Sequence, residues 1–296
     1  MNISKFILRL PKNLRKHKFI QLLLLIFPDS SIQKISFNNK ATVFVDLRDA
    51  APRQALITGL FEPEFFDIAK PFLIKGGVFF DIGANWGFCS YGLVSLINKQ
   101  NLECHLFEAN PVIAKILDKS KLLYPDFIIQ VNNCCVTDRE GISNLTINSN
   151  DLGQSFIDNE GTYTIDNLIL DNYIEKNNIK KINFMKMDIE GYEPFAIKGC
   201  INSLKQGIIE VVYFEVVPSH LRRNGYDPSD CFKLLVSFGY ELFFCKKRDW
   251  DLGIVSSENS FEYDLNGYPL KLSKMNQFPD GYSTDILAIH NKFIKL

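Results

Sequence analysis

Val78-Phe79-Phe80-Asp81-Ile82-Gly83-Ala84-Asn85-Trp86-Gly87 reads as a buried strand that breaks into a glycine loop and then a helix. Dinucleotide-binding loops share this outline, but they hold a pyrophosphate and do not want a carboxylate beside it. Here Asp81 stands two residues before the first glycine. A carboxylate in that place repels a diphosphate and attracts a cation. S-adenosylmethionine carries an ammonium and a sulfonium and has no phosphate. The loop therefore points to a methyl donor rather than to a nicotinamide or a nucleoside triphosphate.

On either side of this loop, strand and helix patterns alternate. Val78–Ile82, Cys104–Phe107, Ile128–Val131, Asn183–Met187 and Val211–Val216 read as strands, with helical stretches such as Pro111 to Leu123 between them. Such alternation predicts an α/β fold with a doubly wound, mostly parallel sheet. Tyr240–Cys245 and Thr284–His290 read as an antiparallel pair that closes it. Upstream, Ile35 to Val45 reads as a hairpin turning at Asn38-Asn39, and the stretch from Leu56 to Leu73 as helical segments punctuated by Pro63 and Pro71. Asp138 to Asn159 is rich in Asn, Ser, Asp and Gly and reads as a surface hairpin insertion around Leu145-Thr146-Ile147. Ser256 to Gly281 reads as a long loop of the kind that often carries function. The economical division is an N-terminal basic helix and hairpin over residues 1–55, followed by one domain over 56–296.

The 296 residues, 46% hydrophobic and 23% charged, suit a globular chain with a sizeable core. A formal net charge of −1 argues against a dedicated nucleic-acid binder. The seven cysteines form no CxxC, and Cys134-Cys135 are adjacent, which fits reduced thiols in a cytoplasmic protein better than a disulfide scaffold. Lys5, Arg9, Lys12, Arg15, Lys16 and Lys18 precede the apolar run Phe19–Phe27. Nine residues fall short of the roughly 20 that span a bilayer. Pro28-Asp29-Ser30-Ser31 offers no small-x-small cleavage site. The run reads as a helix packed on the domain or, alternatively, as a basic amphipathic helix in peripheral contact with the cytoplasmic face of an anionic membrane.

Ligands of doubly wound sheets bind beyond the carboxyl ends of the strands. That rule selects the loop with Asp81, Gly83, Ala84, Asn85 and Gly87, where Asp81 and Asn85 would meet the methionine moiety. It selects Glu108, placed to accept hydrogen bonds from ribose hydroxyls. It selects Asn133-Cys134-Cys135, with Cys135 as a wall of an adenine slot. It also selects Met185-Lys186-Met187-Asp188-Ile189-Glu190-Gly191-Tyr192-Glu193 and the neighbouring Phe214-Glu215. Grouped carboxylates there suit a general base or a divalent cation, Mg²⁺ or Mn²⁺ on Asp188 and Glu215, with Lys186 balancing charge. Asp188 is the first candidate base, with Glu190 and Glu215 as partners. His220 is the alternative. His105 and His290 read as strand residues, and His17 belongs to the basic helix.

Taken together, these residues resemble the FkbM family of S-adenosylmethionine-dependent methyltransferases. The resemblance rests on Phe79 to Gly87, Phe107-Glu108-Ala109-Asn110-Pro111, Thr164-Ile165-Asp166-Asn167-Leu168, Lys186 to Glu193 and Phe214-Glu215. It spans about residues 56 to 217 and implies a class I methyltransferase, Rossmann-like sheet. It further implies O-methylation, commonly of sugar hydroxyls in glycans or of natural products, and a cofactor site that includes Asn110 and Asp188. Gly59-Leu60-Phe61-Glu62-Pro63 resembles the family's Gly-x-x-Glu element, which implies that Glu62 covers the cofactor from the N-terminal side. The chain departs at Ala109, where the family usually has proline, and at Cys135, where alanine is common. A catalytically inactive cofactor-binding protein is one alternative. A nicotinamide-dependent oxidoreductase is another, disfavoured because Gly83-x-x-x-Gly87 lacks the middle glycine.

Overall fold

Among the described residues, helix and strand periods resolve into a nine-stranded mixed sheet with helices on both faces. The computed structural model describes residues 2–11, 14, 16–38, 40–149, 151–158, 160–244, 260–265, 268–275 and 283–293. In chain order the elements begin with helices α1 (Ile3–Arg9) and α2 (His17–Ile26), the hairpin β1 (Ile32–Phe37) and β2 (Ala41–Asp46), then α3 (Ala50–Thr58) and α4 (Pro63–Leu73). The βα alternation follows with β3 (Gly77–Ile82), α5 (Phe88–Ile97), β4 (Leu102–Glu108), α6 (Pro111–Lys121) and β5 (Ile128–Asn133). A small four-stranded sheet comes next, from β6 (Cys135–Val136), β7 (Ile142–Thr146), β8 (Phe156–Ile157) and β9 (Tyr163–Leu168). Then come α7 (Leu170–Lys176), β10 (Phe184–Met187), α8 (Glu193–Lys198), α9 (Ile201–Gln206), β11 (Val211–Val216), α10 (Pro218–Arg223) and α11 (Pro228–Ser237). The chain closes with β12 (Tyr240–Phe244), β13 (Ser260–Leu265), β14 (Tyr268–Lys274) and β15 (Thr284–His290).

The main sheet runs β13-β14-β12-β15-β11-β10-β3-β4-β5. β11, β10, β3, β4 and β5 are mutually parallel, and β15 is antiparallel to both β11 and β12. This is the doubly wound sheet with an antiparallel closing pair that the sequence predicts, Cys245 alone lying outside the described residues. The chain reverses its direction of winding at β3, between β10 and β4. Ligand crevices open at such a reversal.

Period-two alternation sorts the strand side chains to the two faces. Phe79, Phe184, Val211 and Tyr213 join the core cluster under α4 and α5, while Phe80, Met185, Val212 and Phe214 join the cluster under α8 and α11. The first cluster also takes Ile7, Ile20, Leu24, Phe37 and Val43, so residues 1–55 share a core with the sheet. Tyr124 accepts from Thr42 N and donates to Thr42 O, and Ser120 Oγ accepts from Phe44 N, which pins the β1–β2 hairpin on α6. The basic N-terminal stretch forms two helices rather than one, with Pro11 after the first.

Two expectations are corrected. The long loop expected over Ser256 to Gly281 contains the antiparallel hairpin β13–β14, which extends the sheet edge; apart from Met275, its remaining residues lie outside the described ones. The segment Asp138 to Asn159, expected as a surface hairpin, does pair β7 with β8 antiparallel, but its described residues Leu145 and Leu152 to Ile157 fold over the sheet's carboxyl end rather than standing free on the surface. Its apolar residues Leu145 and Leu152 are buried, and its polar composition hid them.

Candidate active site

A cleft of about 240 Å³ opens at the carboxyl ends of β3, β4, β10 and β11. Its floor is the glycine loop. Gly83 N and Ala84 N both donate to Phe107 O, at 2.9 and 3.0 Å, tying the loop to the end of β4. Gly83 has φ +76°, and a Cβ there would lie 2.0 Å from Asp188 O. Only glycine lets the first loop approach the acidic one so closely. Asn85 is held at φ 49°, donates from its backbone N to Glu108 at 2.8 Å and from its side chain to Gly153 O at 3.3 Å. Its Oδ1 is buried and has no hydrogen-bond partner among the described residues.

Glu108 stands at the cleft wall and accepts from Asn85 N and Asn110 N through its two oxygens. Burial pushes its carboxyl up to about 7, against the pull of those two donors. Two hydroxyl donors would favour its charged form, as an adjacent diol supplies. Asn110 caps α6 through Val112 N and reaches Leu152 O and Ser155 Oγ, so it ties the covering segment down rather than lining the cleft. Cys135 lines the wall beside Leu145 and Tyr192, where the adenine slot is expected.

Asp81 lies below the floor. It is fully buried, Ser90 donates to its Oδ2 at 2.6 Å, and its Oδ1 has no hydrogen-bond partner among the described residues. Desolvation raises its pKa while the Lys186 ammonium lowers it. Strand register explains this: Lys186 pairs with Asp81 on one side and Tyr213 on the other, and alternation places all three, with Glu215 two residues beyond Tyr213, on one face. Burial alone would lower the Lys186 pKa. The carboxylates of Asp188, Asp81 and Glu62, with the Cys89 sulfur, overcome that and hold it well above the ordinary range. Lys186 Nζ donates to Asp188 Oδ2 at 2.9 Å. Glu62, at φ 34° before α4, stands over the same group and lines both the main cleft and a recess of about 50 Å³ next to it.

The acidic loop after β10 closes the far side. Glu190 has φ 57° and Gly191 φ 93°, and a Cβ on Gly191 would meet the His220 carbonyl at 2.4 Å. His220 Nδ1 stands 2.9 Å from Glu190 Oε2, close in distance but not aligned as a hydrogen bond. Burial and Asp188 raise the Glu190 pKa, against His220 and Arg223. Asp188, Glu190 and Glu215 line the cleft, whereas His220 stands behind Glu190. Glu193, buried, accepts from Ile189 N at 2.9 Å and is pushed up to about 7 by burial. Its role is to hold the loop. Among the described residues no group of three or more His, Cys, Asp and Glu side chains stands together to hold a metal ion. Of the expected Mg²⁺ or Mn²⁺ ligands Asp188 and Glu215, Asp188 already holds the Lys186 ammonium at 2.9 Å, an arrangement that does not suit a cation on that carboxylate.

Sequence reading missed Asp49. It sits at the N-terminus of α3, is 1% exposed, and accepts from Trp86 Nε1, Leu152 N and Gly153 N at 3.0, 2.8 and 2.8 Å. One carboxylate thus joins the N-terminal region, the glycine loop and the covering segment. An acid just before a helix is the cap signal that marks it in the sequence.

A cationic ligand with a diol suits these residues: carboxylates at the rim, a glycine floor, a strand-end glutamate. The model of the methyltransferase FkbM domain matches residues 81–242, more than half of the chain. The chain belongs to the FkbM methyltransferase family. Its fold and family are those of S-adenosylmethionine-dependent methyltransferases. Among solved structures, the FkbM methyltransferase of Methylobacillus flagellatus KT is 16% identical over 68% of this chain and 44% of its own, with a TM-score of 0.41. This chain thus spans less than half the length of that FkbM relative. An S-adenosylmethionine-dependent O-methyltransferase of Thermotoga maritima is 9% identical over 90% of this chain and 81% of its own, TM-score 0.38. A precorrin-6y C5,15-methyltransferase of Geobacter metallireducens is 11% identical over 76% and 87%, TM-score 0.37. A comparison with curated proteins gives no match.

Proposed function

We propose that this chain transfers a methyl group from S-adenosylmethionine to a hydroxyl oxygen of a sugar, in a glycan, a glycolipid or a natural product. The observation that carries the reading is the Glu190–His220 pair, 2.9 Å apart, at a cleft whose opposite wall is the glycine loop and Glu108. Bound in the cleft, the cofactor supplies a methyl carbon activated by its sulfonium. Asn85 Oδ1 is placed to accept from an ammonium and Glu108 from ribose hydroxyls.

An alcohol is a weak nucleophile until its proton leaves. Glu190, with its proton affinity raised by burial and by Asp188 against the pull of the neighbouring His220 and Arg223, takes that proton. Asp188, held by Lys186, orients the acceptor. Glu62 and Glu215 accept hydrogen bonds from further hydroxyls of a polyol. This ring of carboxylates favours a neutral, hydroxyl-rich acceptor and disfavours phosphate polymers, so a nucleic-acid acceptor does not suit it.

The test is single-turnover methyl transfer with a labelled methyl group, screened over hydroxylated sugars and glycolipids. Glu190→Gln should lower the rate by about 10²–10⁴ with cofactor affinity unchanged. His220→Gln should fall in the same direction by less. A chelator should leave turnover unchanged. Cofactor binding without transfer to any hydroxylated acceptor would favour an inactive cofactor-binding protein. Wild-type rates in Glu190→Gln would remove the base from this assignment.

A further inference from the structure

The helix α2, His-Lys-Phe-Ile-Gln-Leu-Leu-Leu-Leu-Ile over His17–Ile26, is apolar all round through its second half. Such a helix is ordinarily covered on every side. Here only one stripe is covered: Ile20 and Leu24 are buried in the core, whereas Leu22, Leu25 and Ile26 are 52%, 80% and 59% exposed. Those three follow the i, i+3, i+4 spacing of one helix face, and the exposed Phe27 continues it. The shorter helix α1 repeats the arrangement, burying Ile3 and Ile7 and exposing Phe6 and Leu8. The rings of Phe6 and Phe19 lie 6.4 Å apart, so the two helices meet. Seven of the large apolar side chains that the described residues expose fall within the first 27 positions. That concentration is unlike the scattered single exposures a soluble surface tolerates.

Charge decides what covers this face. Residues 1–28 carry six basic and no acidic side chains, in a chain of net charge −1, so the remaining residues carry −7. Lys5, Arg9 and Lys18 are exposed on the same two helices, and Lys16 is exposed at the start of the second. A second copy of the chain would bring like-charged ends together. An anionic lipid surface offers both an apolar layer for Leu22, Leu25 and Ile26 and headgroups for the lysines and arginine. Among the described residues no helix is long and apolar enough to cross a membrane. Contact is therefore by lying on the surface.

We propose that α1 and α2 dock this protein on an anionic membrane surface, with the Leu22–Leu25–Ile26 stripe entering the headgroup boundary. The helices anchor through the same core cluster as α3, whose Ala51 lines the recess beside the cleft. The proposal does not depend on the methyl-transfer reading, and its test uses no turnover.

Full-length protein is sedimented with vesicles of phosphatidylcholine alone and of phosphatidylcholine with phosphatidylglycerol. The wild type should cosediment with the anionic vesicles, less so at high salt, and not with phosphatidylcholine alone. Leu25→Ser with Ile26→Ser should raise the lipid concentration for half-binding by about tenfold or more, and Lys16→Gln with Lys18→Gln should act likewise. These side chains are exposed, so thermal melting of the variants should match the wild type. Absence of binding to anionic vesicles overturns the proposal, as does equal binding by the variants. Sedimentation equilibrium showing a dimer that Leu25→Ser with Ile26→Ser breaks would overturn it in favour of a second copy on that face.

Discussion

Lys186 is a buried ammonium held chiefly by carboxylates of the cleft or just beneath it, Asp188, Asp81 and Glu62. Removing it should leave Asp188 and Asp81 facing one another across the floor without a countercharge. Lys186→Met should therefore lower stability by roughly 3–5 kcal/mol, the range for breaking a buried ion pair, read as a fall in the denaturant midpoint. Lys186→Arg, which keeps the charge, should recover part of it. Glu108 presents the opposite case. Its carboxyl is held by two backbone donors that Gln can also satisfy on one side only, so Glu108→Gln should fold and yet bind S-adenosylmethionine about tenfold to a hundredfold more weakly, measured by calorimetry. Asp81→Asn removes the buried charge behind the floor. Because Asp81 touches Ser90 rather than the cleft, its effect on cofactor affinity must pass through Lys186 and the loop. The sequence made Glu108, Asp188 and Glu190 legible because each follows a strand whose apolar run is unmistakable. It made Lys186 legible as the countercharge of Asp188, two residues further along, but not that Lys186 also faces Asp81, because that pairing needs register across β3 and β10, a long-range property no local pattern carries.

The covering segment around Leu152 to Phe156 is held by few, well-placed contacts. Asp49 receives Leu152 N and Gly153 N, Asn85 donates to Gly153 O, Asn110 donates to Leu152 O, and Arg223 stands 4.4 Å over the Phe156 ring. Asp49→Ala leaves two buried N–H groups, Trp86 Nε1 and Leu152 N, and the half-buried Gly153 N without their acceptor, at a cost of about 1–3 kcal/mol for each buried unsatisfied group. Limited proteolysis should then cut within residues 148–158 faster than in the wild type, while the sheet core stays resistant. Unchanged cleavage would show that the segment is held without Asp49. The strands and their parallel, doubly wound arrangement were readable from alternation and from the glycine loop. The covering segment was not, because its polar composition reads as surface while its function is to turn Leu145, Leu152 and Phe156 inward. The β13–β14 hairpin was missed for a related reason: Ser260–Leu265 mixes charges with aromatics and gives no clear apolar face.

Across the molecule, the buried acids couple stability to pH. Glu108 and Glu193 sit near 7 rather than 4.5, and Asp49 near 6 rather than 3.8, each raised chiefly by burial. A raised carboxyl is neutral in the fold while already ionised in the unfolded chain. Its contribution is thus complete below the unfolded value and lost as pH rises through the folded one. The melting temperature of the ligand-free protein should fall as pH climbs from about 5 to about 8, and Glu193→Gln should flatten that slope. A slope of opposite sign would contradict the burial of these acids. Hydroxyl donors on Glu108 favour its charged form, so cofactor affinity should rise over the same interval.

Calorimetric titration of S-adenosylmethionine into the wild type, Glu108→Gln and Glu190→Gln bears most directly on the cleft. Saturable one-to-one binding by the wild type, weakened about tenfold or more in Glu108→Gln and unchanged in Glu190→Gln, is the result expected if β3 and β4 hold the cofactor and the loop after β10 faces the acceptor. Absence of binding by the folded wild type, or equal affinity in Glu108→Gln, would contradict it.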